Sequence, residues 1–214
     1  MSKNIIIFDL DGTLVDSGEN IAKAINYTRE RLGLSIVASE FVLNHINKDD
    51  INAAKVFYGT NCFTKEQREH FEPYYDSICH MDIVLYERVG EFLERFKSLD
   101  FKMGIATNGK STFAKKMLSH LKVDSYFDFI YGADSVAYPK PNPQMLLKIL
   151  DGYGFEEDSK ALMVGDSIKD IKAAKAIGIT SAVAEWGFGD DKPVGDKNLT
   201  DTNELDWIID FFKD

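Results

Sequence analysis

Short apolar runs set between stretches of helical periodicity restrict this chain to one kind of architecture. The runs are Ile5 to Phe8, Met103 to Ala106, Phe129 to Tyr131, Ala161 to Val164 and Ser181 to Val183. Each has the length of a buried strand, and strands that alternate with helices make a parallel sheet covered by helices. Between the runs, apolar residues recur at helical spacing: Val89, Phe92, Phe96 and Leu99; Phe113, Met117, Leu118 and Leu121; Met145, Ile149 and Leu150; Leu205, Ile208, Ile209 and Phe212. The expected fold is α/β, a Rossmann-like parallel sheet with helices on both faces.

One stretch breaks the alternation. From Ser17 to Asp82 the periodicity stays helical, and no strand pattern appears. Ile21, Ile25, Thr28 and Leu32 define a first helix stopped by Gly33, while Thr64 with Gln67 is a capping box that starts another. Phe71, Tyr74, Tyr75 and Ile78 form the inner face of that second helix. The predicted organisation is a catalytic core of residues 1–16 and 83–214 with an all-helical cap, 17–82, inserted after the first strand.

Charge narrows the partners. With 25 Lys and Arg against 35 Asp and Glu, the net charge is -10, and the longest basic run is Lys115 with Lys116. Neither a nucleic-acid polymer nor an acidic lipid surface suits such a chain. No apolar run approaches the roughly 20 residues of a spanning helix, and no secretory leader pattern is present, so no membrane partner is expected. Cys62 and Cys79 form no CxxC pair and read as reduced thiols, which predicts a cytoplasmic location. The sequence favours neither a monomer nor a homodimer.

The chemistry-bearing residues follow the apolar runs. The first run ends in Asp9-Leu10-Asp11-Gly12-Thr13, two carboxylates one residue apart where open α/β sheets place ligands. An Asp-Gly turn is the alternative reading. Ala161 to Val164 runs into Gly165, Asp166, Ser167 and Asp170, where a helix cap would explain one aspartate. Oxygen donors gathered from two strand ends are the set Mg²⁺ prefers. Thr107 and Asn108 follow the second core run and could hold phosphate oxygens at a helix start, or cap the helix. Lys140, between Pro139 and Pro141, is either a charge placed in a site or part of a rigid surface loop.

In this order the motifs resemble the haloacid dehalogenase superfamily of phosphatases. The resemblance spans Asn4 to about Gly189. It implies Asp9 as nucleophile through an aspartyl-phosphate, Asp11 as general acid and base, and Thr107 and Lys140 as phosphate holders, to which the helix-start reading adds Asn108. It also implies Mg²⁺ held by Asp9, Asp11, Asp166 and Asp170, with Asp170 either touching the metal or orienting Lys140. The chemistry accounts for these residue types. A carboxylate attacks a phosphate dianion only where cations offset the repulsion, and two neighbouring carboxylates separate in pKa so that one keeps a proton.

Asp11 argues against dehalogenation, since dehalogenases of the superfamily lack the second aspartate. Thr13 and Ile21 stand where phosphosugar mutases often carry Val and His. The motif from Asp9 to Ser17, with Trp186-Gly187-Phe188-Gly189 as a packed loop, looks most like the phosphoglycolate phosphatase branch. The expected substrate is a small phosphorylated metabolite. The alternatives are a phosphosugar mutase, a pyrophosphatase or nucleotidase, and a binding protein that retains the site. In the cap, Lys48 within His45 to Asp49 is the candidate substrate contact, with an exposed lysine in a solvated helix connection as the alternative. Glu87 replaces a Pro common in relatives. Phe57, Tyr58, Phe63, Phe71, Tyr74 and Tyr75 read as the cap's own core, with a nucleobase platform as the alternative, and His45, His70, His80 and His120 show no metal spacing.

Overall fold

The structure is a computed structural model that describes residues 3–48 and 51–213. The first strand, β1 (Asn4–Phe8), leads through a tight turn to the two-residue β2 (Val15–Asp16). Four helices follow: α1 (Gly18–Arg31), α2 (Ser39–Ile46), α3 (Ala53–Tyr58) and α4 (Lys65–Ile78). The chain returns through β3 (Val84–Leu85), which pairs antiparallel with β2. From there helix and strand alternate: α5 (Val89–Ser98), β4 (Lys102–Ala106), α6 (Ser111–His120), β5 (Phe129–Tyr131), α7 (Gln144–Tyr153), β6 (Lys160–Gly165), α8 (Ile168–Lys175) and β7 (Thr180–Ala184). A short strand, β8 (Lys197–Leu199), and the terminal α9 (Asp206–Lys213) complete the fold.

Six strands form one sheet in the order β5-β4-β1-β6-β7-β8, every pairing parallel. β1 lies inside it between β4 and β6, which is why its residues are apolar on both sides. Ile5 and Ile7 pack with Met145, Leu146 and Ile149 of α7. Ile6 and Phe8 face the other way, toward Phe92 and Phe96 of α5 and Met117 and Leu118 of α6. The expected α/β core with helices on both faces is what the structure has.

Some local expectations differ. Leu99 does not join the inner face of α5; the helix ends at Ser98 and Leu99 is exposed. Strand β8 carries no apolar run, because it is a three-residue edge strand in which only Leu199 is buried. Helices α2 and α3 are too short for periodicity to reveal them. The two helices that were expected between Ser17 and Asp82 are present: Gly33 adopts φ 72° just past α1, and the capping box of Thr64 and Gln67 starts α4. Among the described residues, no helix is long and apolar enough to cross a membrane.

Candidate active site

Three of the core motif residues sit just beyond the carboxyl end of a strand. Asp9 follows β1, Thr107 follows β4 and Asp166 follows β6. The adjacent pairing of β4, β1 and β6 therefore brings three distant segments to one place. The Asp-Gly turn is real and serves this gathering. Leu10 carbonyl oxygen accepts from the amides of Thr13, Leu14 and Val15, and Gly12 takes φ 80°. A Cβ at Gly12 would stand 2.2 Å from Asp166 Oδ2, so only glycine admits so close an approach of the two loops.

Lys140 is the hub. Its Nζ lies 2.5 Å from Asp170 Oδ1 and 3.0 Å from Asp9 Oδ1, with both side chains of the Lys140–Asp170 pair 2% exposed. Asp170 also accepts from the Ser167 amide at 3.1 Å, while Ser167 caps α8 through Lys169 N. One aspartate thus caps the helix with one oxygen and holds the lysine with the other. Asp166 Oδ2 accepts from Phe188 N at 2.9 Å and Asn47 Nδ2 at 2.7 Å. The Asp11 carboxylate turns away from this group, accepting from Ser17 Oγ at 2.5 Å and, more distantly, from Thr107 Oγ1 at 3.5 Å.

Ligand atoms of Asp9, Asp166 and Asp170 lie within 4.8 Å of one another. Asp166 Oδ1 is buried without a hydrogen bond, and Asp9 Oδ1 meets Lys140 as an ion pair without accepting an aligned hydrogen bond. Buried oxygens left without donors are costly. A hard divalent cation would satisfy them, and the all-oxygen donor set suits Mg²⁺. The side chain of Asp11, expected as a fourth ligand, is not one of these three.

Burial, opposed by Lys140 and assisted by Asp170 and Asp11, pushes the Asp9 carboxyl up to about 7. Burial raises Asp11 as well, against its bonds to Ser17 and the pull of Lys140. Asp166 is raised well above the carboxylate range by burial and then by Asp9 and Asp170. For Lys140, burial disfavours the charge, yet Asp170 and Asp9 outweigh it and hold the ammonium above its ordinary value. An acid with a raised folded pKa keeps a proton that the unfolded chain has released, so stability falls as pH climbs between the two values. In metal-free protein, urea melts should therefore show a stability loss between the ordinary 3.8 of Asp9 and about 7. A divalent cation should suppress that loss; metal-free stability that rises through this window would contradict the argument.

The remaining candidates divide. Asn108 lines the cavity, but its Nδ2 donates to Lys140 carbonyl oxygen at 2.8 Å, so its side chain supports the lysine loop. Lys48 pairs at 3.1 Å with the exposed Asp191 beyond β7 and does not line the cavity. Its neighbour Asn47 reaches Asp166 instead, and Lys169 Nζ donates to Ile46 carbonyl oxygen at 3.0 Å. Asp49, at the end of that loop, is outside the described residues. The packed-loop reading of Trp186 to Gly189 is partial: Trp186 Nε1 donates to Thr13 carbonyl oxygen, whereas Phe188 serves Asp166 and lines the cavity. Ser17, Asn47 and Phe188 N carried no separate signal, although Ser17 closes the Asp9 to Ser17 motif.

A cavity of about 550 Å³ opens onto Asp9, Asp11, Thr107 and Lys140 and runs between α6 and the helices that precede β3. Phe57, Tyr58 and Tyr75 are buried in the hydrophobic core, and Phe71 and Tyr74 pack against it. Phe57, Tyr58, Phe63, Phe71 and Tyr75 also line this cavity, and Tyr74 stacks on Tyr27 at 3.9 Å. The Tyr75 hydroxyl is held neutral by burial and by the nearby Asp11.

A parallel sheet that delivers carboxylates and a buried lysine to one cavity defines an α/β enzyme built for an anionic substrate. The chain belongs to the haloacid dehalogenase-like hydrolase family, whose family model matches residues 6–184. It resembles the phosphoglycolate phosphatase of Aquifex aeolicus, 36% identical over 184 residues covering 86% of this chain and 85% of the relative. The phosphoglycolate phosphatase of Aliivibrio fischeri is 30% identical over 98% of this chain and 93% of its own length. A haloacid dehalogenase-like hydrolase structure from Streptococcus pneumoniae superposes with a TM-score of 0.78 at 25% identity, covering 98% of each chain. By this kinship the chain is a phosphatase, a hydrolase of phosphoric monoesters.

Proposed function

We propose that this enzyme is a Mg²⁺-dependent phosphatase that hydrolyses a small phosphomonoester through an aspartyl-phosphate on Asp9. The observation that carries the reading is the meeting of Asp9, Asp166 and Asp170 around buried oxygens that lack donors, beside a lysine held charged. Asp9, Asp166 and Asp170 would hold the cation. Bound there, Mg²⁺ would supply the positive charge that lets a carboxylate and a phosphate dianion approach. Lys140 adds a second positive charge from the protein, and Thr107 offers its hydroxyl from the end of the neighbouring strand β4.

Asp9 attacks phosphorus; the ester P–O bond breaks as the Asp9–phosphorus bond forms. Asp11, whose pKa is raised by burial, gives its proton to the departing alkoxide oxygen. The ionised Asp11 then takes a proton from water, which attacks the aspartyl-phosphate, releases inorganic phosphate and restores both carboxyl groups. The helices between β2 and β3, residues 17–82 in the expected division, act as a cap that excludes water from this sequence. Two free thiols, Cys62 and Cys79, suit a cytoplasmic setting.

Phosphoglycolate is the first substrate to try, because relatives over most of this chain bear that name. Phosphate release should require Mg²⁺, and EDTA should reduce it to background for every ester tried. Release undiminished by EDTA would sink the metal requirement. Isomerisation of a sugar phosphate without net phosphate would sink the hydrolase assignment.

A further inference from the structure

The cavity that contains the phosphate site is large, and its exposed lining is mostly carbon. At about 550 Å³ it falls in the range of roughly 300–1,000 Å³ typical of pockets for ring-sized ligands, far more than a two-carbon acid would fill. Phe71 and Tyr75 of α4 stack at 5.3 Å between centroids, and Tyr75 meets Phe113 of α6 edge-on at 5.1 Å. The result is a continuous aromatic wall on the same cavity as Asp9 and Thr107, with Met117 and Ile21 also on its lining.

Most of the positive charge on this lining is already engaged. Besides Lys140, the described cations of this lining are Arg68, Lys110 and Lys169. Lys110 is bound to Glu72 at 2.6 Å, Lys169 donates to Ile46 carbonyl oxygen, and Arg68 is exposed with its guanidinium 5.9 Å from the Phe63 ring centroid. A carboxylate that reached the Phe71 and Tyr75 wall would be stripped of water against rings and aliphatic chains, an unfavourable exchange. A ring would exchange water for the edge and face contacts that aromatic walls favour.

We infer that the preferred substrate is the phosphomonoester of a ring-bearing alcohol, with the ring against Phe71, Tyr75 and Phe113. The inference rests on the phosphatase reading above and names its leaving group. It also separates this chain's preference from the substrate in its relatives' names.

The test compares benzyl phosphate, ethyl phosphate and phosphoglycolate under Mg²⁺, the first two having alkoxide leaving groups of similar basicity. Burying a phenyl ring should favour benzyl over ethyl phosphate by about 10–100-fold in kcat/KM, and benzyl phosphate should also exceed phosphoglycolate. Phe71→Ala should shrink the benzyl-to-ethyl ratio by up to about tenfold, its fold checked by circular dichroism. Should that variant fail to fold, the wild-type ratio decides alone. A wild-type ratio near one, or phosphoglycolate ahead of benzyl phosphate, overturns the ring preference while the phosphatase reading stands. No phosphate from any ester overturns that reading and the preference with it.

Discussion

Asp9→Asn is expected to lower kcat by about 10⁴-fold or more, the scale seen when a covalent nucleophile is removed, while the folded protein becomes no less stable in EDTA. The two halves of this result have one cause. Asp9 lies buried within reach of two further carboxylates, and burial already pushes its pKa up to about 7. Replacing the carboxylate with an amide of nearly the same shape removes a charge that the folded state holds at a cost. Lys140 keeps Asp170 at 2.5 Å as a partner, so the buried ammonium is not abandoned. The amide oxygen, however, is a poor nucleophile and a weaker ligand for a cation. Phosphate release and urea melts on the same preparation check both halves. Magnesium-dependent hydrolysis at wild-type rate would eliminate Asp9 as the nucleophile; a large loss of stability would mean that the inactivity reflects misfolding.

Lys140→Met should be the most damaging single change to the fold among these site residues. Methionine approximates the length of the lysine stem and leaves the ammonium out. Asp9, Asp166 and Asp170 would then share a water-poor site without the charge that Asp9 and Asp170 contact. Breaking a buried ion pair from one side costs about 3–5 kcal/mol. The loss should be greatest at neutral pH without metal and smaller at low pH, where protons can replace the missing charge. Saturating Mg²⁺ should recover part of the stability by binding only the folded state, but activity should remain low because the phosphate has lost a positive contact. Denaturation midpoints at acid and neutral pH, with and without Mg²⁺, would read this. Equal stability of variant and wild type at neutral pH in EDTA would refute the claim that Lys140 neutralises the cluster.

The sheet was legible because its strands are buried on both faces. Ile5 to Phe8 has no polar alternation to hide it, since Ile5 and Ile7 enter one apolar layer and Ile6 and Phe8 the other. Asp9, Thr107 and Asp166 were legible because they follow such strands directly. What escaped notice depends on partners far away in the chain. Asn47 contacts Asp166 across 119 positions, and its sequence surroundings are those of any polar helix end. Lys48 carries a charge suited to a substrate anion, but the turn after α2 points it at Asp191 and its neighbour Asn47 into the site. Helical spacing identified Phe71 and Tyr75 as an inward face without revealing whether that face met protein or space. Strands of two residues, such as β2 and β3, are below the length at which alternation can be seen.

Those two strands have a consequence for the chain's history. Val15 sits opposite Leu85 and Asp16 opposite Val84, so the backbone leaves the sheet layer and returns to it at one point. The entropy of closing a loop grows only with the logarithm of its length. The parallel sheet is therefore almost indifferent to how many residues intervene between Asp16 and Val84. Lengthening, shortening or exchanging that excursion changes what stands over Asp9 and leaves the strand order beneath it as it was. Selection can rewrite the ligand wall at this junction without renegotiating the register of β1.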